Sequence, residues 1–110
     1  LIPRPETELL IDPLIRKFKG KNIFFLDVGI GSGCIIYSLL HELNRSRGIG
    51  IDICNKALSI AKINLDNTNV GKRVNLQCKS IDQVFNVKFD LVISNPPYIV
   101  KREINQLSEI

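Results

Sequence analysis

The stretch NIFFLDVGIGSG, from Asn22 to Gly33, decides the fold. Its first part, Asn22–Gly29, is an almost continuous apolar run, which is typical of a central parallel strand covered on both faces. Alternate glycines then mark a sharp turn, and an apolar segment that reads as a helix follows at Cys34–Leu43. Strand, glycine-rich turn and helix in this order predict the opening of a βαβ unit.

The same alternation continues along the chain. Three more strands are predicted, at Arg47–Ile53, Arg73–Lys79 and Phe89–Ser94. A helix at Asn55–Asn67, with Asn55 as its N-cap, separates the first two of these strands. Another helix is predicted before all the strands, at Pro5–Phe18, with an interruption at Pro13. The pattern predicts an α/β fold with a doubly wound, Rossmann-like sheet, in which ligands bind at the carboxyl ends of the strands.

Composition limits the class of protein. The 110 residues, 45% hydrophobic and 24% charged, suit one small globular domain. No apolar run is long enough for a membrane helix and no signal peptide is visible, so we expect a cytoplasmic protein with no membrane partner. The net charge of +4 is compatible with nucleic acid, but the basic residues are scattered along the sequence, which favours an ordinary solvated surface. Cys34, Cys54 and Cys78 have no metal-ligand spacing and are interpreted as reduced thiols.

The turn after the first strand holds Gly29, Gly31 and Gly33. Glycines at these positions let the backbone approach a ligand closely, and the following helix offers free N–H groups at its start. The spacing does not fit the dinucleotide fingerprint G-x-G-x-x-G, because the third glycine comes one residue early. A nicotinamide-binding domain is therefore disfavoured.

Asp52 closes the second strand, about twenty residues after the glycine turn. A carboxylate at that place can accept hydrogen bonds from the two hydroxyls of a ribose. A surface aspartate or a helix cap would look the same in sequence, but the strand end and the glycine turn together favour ribose binding.

The stretch SNPPYI, Ser94 to Ile99, follows the fourth strand. Its prolines make the segment stiff and extended, which suits either a plain strand terminator or a shaped binding surface. The side-chain oxygen of Asn95 and the carbonyl of Pro96 can accept the two hydrogens of one amino group. Tyr98 offers a face on which a planar group can stack.

These three motifs, in this order, resemble the S-adenosylmethionine-dependent amino-methyltransferases. The resemblance implies that Gly29, Ile30, Gly31, Ser32 and Gly33 bind the methionine part of the cofactor and that Asp52 binds its ribose. It further implies that Asn95, Pro96, Pro97 and Tyr98 hold the amine to be methylated, with Asn95 also touching the cofactor.

The opening LIPRPETELLI, Leu1 to Ile11, is similar to the HemK/PrmC family, which methylates the glutamine amide of the Gly-Gly-Gln motif in peptide chain release factors and so acts in translation termination. The similarity runs to about Gln106. It implies a flap beside the cofactor, formed by Arg4, Pro5, Glu6 and Thr7. Relatives place an aspartate and an aromatic residue after the third strand, where this chain has Ser80 and Ile81. Ser80 would then bond the adenine amine and Ile81 would cover the ring.

The resemblance also predicts what the chain represents. Residues 1–110 would be the N-terminal part of a methyltransferase catalytic domain, with an upstream substrate-docking domain and the C-terminal strands outside this chain. A sheet truncated after its fourth strand would leave Phe89–Ser94 at an open apolar edge that can pair with itself or with another chain.

Two alternatives stay open at this stage. A nucleic-acid methyltransferase acting on the adenine amino group needs the same Asn-Pro-Pro-aromatic geometry and could stack a flipped base on Tyr98. An inactive fragment that only binds cofactor is the second alternative. The release factor hypothesis itself requires no direct contact with nucleic acid.

Overall fold

The computed structural model describes residues 5–84 and 86–94, which fold into an α/β unit. Its helices are α1 (Pro5–Phe18), α2 (Cys34–Glu42) and α3 (Asn55–Asp66), and its strands are β1 (Phe24–Val28), β2 (Arg47–Asp52), β3 (Val74–Cys78) and β4 (Leu91–Ser94). Single 3₁₀ turns at Gly71–Arg73 and Ile81–Gln83 flank β3. The alternation of strands and helices predicted from the apolar runs is confirmed.

The four strands form one parallel sheet in the order β3-β2-β1-β4. The chain moves outward from β1 to β2 and β3, then returns to place β4 on the other side of β1. Asp27 is in register with Gly50 on one neighbour and with Ile93 on the other, so these three residues share a face of the sheet. The order of strands reverses at β1, which is where α/β sheets of this kind bind their ligands.

Helix α2 packs tightly on the sheet at Gly50. A Cβ atom at Gly50 would lie 2.8 Å from the side chains of Ile36 and Leu76, so only glycine allows the helix to come this close. Around this contact lies one apolar core that includes residues of all three helices and of β1 and β4. Its most deeply buried side chains are Phe25, Ile36, Leu39, Leu40, Ala61, Leu65, Val70 and Ile93.

Arg73 joins the turn before β3 to the end of α2. Its guanidinium donates to the carbonyl oxygens of Leu40 at 2.6 Å, Ser46 at 3.0 Å and Leu43 at 3.2 Å. Carbonyls at the end of a helix have no partner within the helix, and a planar fork of N–H groups suits several of them at once. Arg73 therefore fixes the end of α2 and the start of β2.

Two local predictions are wrong. Helix α1 continues through Pro13, because Ile11 and Leu14 on either side are buried in the core and hold the helix together despite one missing N–H donor. The N-cap of α3 is Cys54 rather than Asn55, since Asp52 accepts a hydrogen bond from the Cys54 N–H and the turn closes one residue earlier. Over the described ranges, no helix has the length and apolar character needed to cross a membrane.

Candidate functional site

The glycine turn after β1 is open on one side and packed on the other. Gly29, Gly31 and Gly33 all have positive φ angles, of 76°, 55° and 90°, which side chains resist. A Cβ atom at Gly29 or Gly31 would meet no atom of the described residues within 4 Å, whereas one at Gly33 would lie 3.3 Å from the Leu65 side chain of α3. The open side leaves space where a ligand can approach the backbone.

Hydrogen bonds fix the turn to its neighbours. The Gly29 N–H donates to the Ile51 carbonyl of β2 at 2.9 Å, and the Gly33 N–H donates to the Ile30 carbonyl at 3.0 Å. Helix α2 begins directly afterwards and has no side-chain cap. The N–H groups at the start of a helix, together with the positive end of its dipole, suit an anionic group such as a carboxylate.

Asp52 lies at the carboxyl end of β2, where the sequence places a ribose-binding acid. It is half-buried, and its Oδ1 accepts a hydrogen bond from the Cys54 N–H at 2.9 Å. The Oδ2 atom accepts no hydrogen bond from the described residues and can take a ligand hydroxyl. The next residue, Ile53, is 77% exposed at the same edge.

Asp27 lies within β1, one residue before its end, and is 1% exposed. Neither of its carboxylate oxygens has a hydrogen-bond partner among the described residues. Burial, and then the negative charge of Asp52, raise the pKa of Asp27 from 3.8 to about 8. A buried carboxyl group without a partner is unfavourable unless a cation or a donor meets it. The position therefore suits a positively charged group.

Ser80 and Ile81 lie in the turn that follows β3, and both are half-buried. β3 is in register with β2 so that Cys78 is beside Asp52, which brings this turn to the same edge. The Ser80 N–H donates to Gln83 Oε1 at 2.9 Å, and the Ser80 hydroxyl donates to the carboxylate of Asp82. The Ser80 side chain is thus held by the turn itself, while Asp82 is exposed beside it.

The structure brings the glycine turn, Asp52 and the Ser80 turn to one edge of the sheet. It also leads β4 to that edge, because Ser94 is in register with Val28 at the end of β1. The segment Asn95–Tyr98 and Arg4 lie outside the described residues. Pro5 and Thr7 fall within α1, but their side chains also lie outside what is described.

Four residues of the site received no role from the sequence. Asp27 and Ser94 carry buried polar atoms without partners among the described residues, Ile53 is an exposed apolar side chain beside Asp52, and Asn64 contacts the glycine turn. The sequence did contain a signal for two of these residues. Asp27 is an acid inside an apolar run, and Ile53 is an apolar residue directly after the acid that ends a strand. Nothing in the sequence around Asn64 indicates its contact.

Comparison with known proteins agrees with this geometry. The family model of the methyltransferase small domain matches residues 5–108. The chain is 38% identical over 109 residues to the release factor glutamine methyltransferase of Caulobacter vibrioides, an alignment that covers 97% of this chain and 38% of that protein. It is 39% identical over 118 residues to the enzyme of the same name from Flavobacterium psychrophilum, covering 96% of this chain and 40% of that protein. The chain thus spans well under half the length of these relatives.

A solved structure gives the same fold. A SAM-dependent O-methyltransferase from Thermotoga maritima superposes with a TM-score of 0.71 at 20% sequence identity, over 87% of this chain and 36% of that one. The predicted fold class, a Rossmann-like class I methyltransferase sheet, is therefore confirmed, with four strands among the described residues.

Proposed function

The chain belongs to the methyltransferase small domain family, and we propose that it is the cofactor-binding part of a release factor glutamine methyltransferase. The reaction would move a methyl group from S-adenosylmethionine to the side-chain amide nitrogen of the glutamine in the Gly-Gly-Gln motif of peptide chain release factors. The observation that supports the proposal best is the pair of acids near the carboxyl ends of adjacent strands, Asp27 and Asp52, beside a glycine turn that is open among the described residues. The identity of 38% to a release factor enzyme along almost the whole chain supports the choice of substrate.

The residues at this edge fit the chemical groups of the cofactor. S-adenosylmethionine carries a carboxylate, an ammonium group, a sulfonium and a ribose. The N-terminal turn of α2, for which the described residues supply no side-chain cap, would hold the carboxylate, and the carboxyl group of Asp27, which has no hydrogen-bond partner among the described residues, suits the positive charge. The free Oδ2 of Asp52 would accept from the ribose.

The adenine ring needs an apolar surface and polar atoms at its rim. Ile53 offers the surface, because most of its side chain is exposed directly beside Asp52. Ile81 and Ser80, on the neighbouring turn, would complete the pocket, as the resemblance implies. The Ser80 hydroxyl donates to the carboxylate of Asp82, which places that carboxylate beside Ser80. Asp82 would therefore be a further acceptor for the adenine amino group. Arg4, Pro5 and Thr7 would belong to a flap beside the cofactor.

The substrate side of the site would be the segment that follows β4. An amide nitrogen is a poor nucleophile, since its lone pair is delocalised into the carbonyl group. The Asn95 side-chain oxygen and the Pro96 carbonyl would accept its two hydrogens, orient the nitrogen and stabilise the positive charge that develops on it. Pro97 would keep the segment stiff and Tyr98 would pack against the glutamine. No strong base is needed before the methyl group is transferred.

The proposal extends to location and partners. Release factors act on ribosomes, so the protein would work in the cytoplasm. The glutamine substrate requires no contact with nucleic acid. Strand β4 is at the edge of the described sheet, and its residues Leu91 and Ile93 are buried. We propose that this edge of β4 pairs with a further strand or with a second copy of the chain.

Labelled S-adenosylmethionine tests the proposal against its nearest alternative. The full-length protein is incubated with the labelled cofactor and with release factor, DNA or RNA in separate reactions. We expect label on the release factor alone. Label on adenine in DNA or RNA would show that the substrate is a nucleic acid and not a release factor. Cofactor binding without any methyl transfer would show that the protein only binds the cofactor.

A further inference from the structure

Helix α3 contacts the glycine turn through a side chain that the proposed reaction does not use. The Asn64 amide donates from Nδ2 to the carbonyl oxygen of Ser32 at 3.0 Å. Asn64 is half-buried, and Ser32 lies in the turn between Gly31 and Gly33. The contact joins residues that are 32 positions apart in the chain.

The chemistry of this contact fixes the orientation of the amide. A carbonyl oxygen can only accept, so the donor end of the Asn64 amide must face it. The reversed amide would place two oxygens against each other. A carboxylate at this position would have the same shape and no hydrogen to donate, and it would repel the Ser32 carbonyl.

A second contact holds the same part of the turn on α3. Gly33 packs so closely that a Cβ atom there would lie 3.3 Å from the Leu65 side chain and 3.7 Å from Ala61. A Cβ atom at Gly29 or Gly31, in contrast, would contact none of the residues that the structure describes. A turn with three glycines is a flexible piece of backbone when it stands alone. The hydrogen bond from Asn64 restrains it at Ser32, directly before α2 begins.

We propose that Asn64 is a positioning residue for cofactor binding, which holds the Ser32 carbonyl on α3 so that the open side of the glycine turn keeps its shape. The inference rests on the proposed function for its ligand. Asn64 touches neither the reacting atoms nor the space over Gly29 and Gly31, so it acts through the backbone of the turn. Preorganised sites bind more tightly because less ordering is left for the moment of binding.

Three variants of the full-length protein separate this role from a general loss of stability. Asn64→Ala removes the donor, and Asn64→Asp replaces it with an acceptor of the same shape. Asn67→Asp is the matched control, because it adds the same charge at the same end of α3 from an exposed position. The charged neighbours on α3, Lys62 and Asp66, pair with each other at 3.2 Å and are unchanged in all three variants.

The first measurement is the Kd for S-adenosylmethionine, always relative to the unmutated protein at the same pH. We expect Asn64→Ala to weaken binding by about 5-fold to 10-fold, the value of one neutral hydrogen bond. Asn64→Asp should bind more weakly still at about pH 8 and recover towards about pH 5, where its carboxyl group begins to gain a proton that it can donate. Asn67→Asp should bind like the unmutated protein at both pH values.

The second measurement needs no cofactor. Amide hydrogen exchange of residues 29–33 should be faster in Asn64→Ala than in Asn67→Asp, because the turn has lost its restraint. Equal exchange in these two variants, or a loss of affinity in Asn64→Asp that is the same at every pH, would overturn the inference. If the unmutated protein binds no S-adenosylmethionine, the proposed function fails, and hydrogen exchange alone then decides whether Asn64 restrains the turn.

Discussion

Asp27, one residue before the end of β1, and Asp52, the last residue of β2, lie on adjacent strands, and the negative charge of Asp52 adds to burial in raising the pKa of Asp27 to about 8. The two acids differ in their surroundings. Asp52 is half-buried and receives a hydrogen bond from the backbone of Cys54, whereas Asp27 is almost fully buried and receives none among the described residues. Asp27 thus keeps its proton near neutral pH when the site is empty of positive charge, and a cation at the site would favour its ionised form.

The first prediction concerns stability and pH. In the unfolded chain Asp27 loses its proton near the ordinary value of 3.8, but in the folded protein it keeps it until about pH 8. The folded state therefore binds one more proton within this window, and stability falls as pH rises from about 4 to about 8, by about 1 kcal/mol per pH unit. The Asp27→Asn variant has no proton to lose at this position, so its free energy of unfolding should not fall with pH in this way. Urea unfolding at several pH values measures the free energy of unfolding.

Asp66→Asn is the control for that experiment, because Asp66 is exposed and pairs with Lys62 on the surface of α3. Its stability profile should keep the slope of the unmutated protein. A profile of Asp27→Asn that still falls between about pH 4 and about pH 8 would show that another group binds the proton.

The second prediction concerns the ribose. Asp52→Asn keeps the shape of the side chain but replaces one acceptor oxygen with a donor. Because hydrogen bonds to a charged group contribute about 1.5–3 kcal/mol, affinity for S-adenosylmethionine should fall by about 10-fold to 100-fold. Isothermal titration calorimetry measures the change in affinity. Asp66→Asn is the control, because it removes the same charge as Asp52→Asn. Unchanged affinity would remove Asp52 from the cofactor site.

The third prediction concerns the end of α2. Arg73→Ala removes the hydrogen bonds of the guanidinium to the carbonyls of Leu40, Leu43 and Ser46, of which Leu43 keeps its bond from the Ser46 N–H, so the free energy of unfolding should drop by about 2 kcal/mol. The neighbouring Lys72 is exposed, and Lys72→Ala should change stability by less than about 0.5 kcal/mol. Thermal and urea unfolding of both variants give the comparison. Equal stability of the two would mean that the guanidinium contributes nothing to the helix end.

The fourth prediction concerns the segment after β4. Asn95→Ala removes an acceptor of the amide hydrogens, so turnover on release factor should fall by about 100-fold, as for the loss of one hydrogen bond made in the transition state. Affinity for the cofactor should fall much less. Asn44→Ala, at an exposed position after α2, is the control. Near-normal turnover in Asn95→Ala would contradict the role of the segment in holding the amine.

The sequence was sufficient to predict the elements of the fold because strand-like and helical patterns alternate clearly along it, although only β1 and β4 are largely apolar runs and β3 has no fully buried residue. The ends of the strands were less predictable. Phe89 was expected in β4, but its ring stacks on Phe24 at 5.0 Å between centroids, and β4 begins at Leu91. Just before it, Asp90 accepts a hydrogen bond from the Phe24 N–H at 2.8 Å, which fixes the start of β1.

The site was predictable where a single motif carries it and unpredictable where distant segments meet. The glycine turn and Asp52 are visible in sequence because their residue types and their spacing are both unusual. The lack of a partner for Asp27 among the described residues depends on what α2 and the neighbouring strands place around it. The contact between Asn64 and Ser32 depends on how α3 crosses the turn, and local sequence contains no sign of that.

The proposed reaction transfers the methyl group to a glutamine amide. Peptide mass spectrometry of the treated release factor is the direct test of this transfer. The full-length protein, S-adenosylmethionine and unmethylated release factor are incubated together, and the peptide that contains Gly-Gly-Gln is fragmented. We expect a gain of one methyl group on the glutamine side chain, and about 100-fold slower methylation when Asn95→Ala replaces the unmutated protein. An unmodified glutamine, or a methyl group on any other residue, would contradict it.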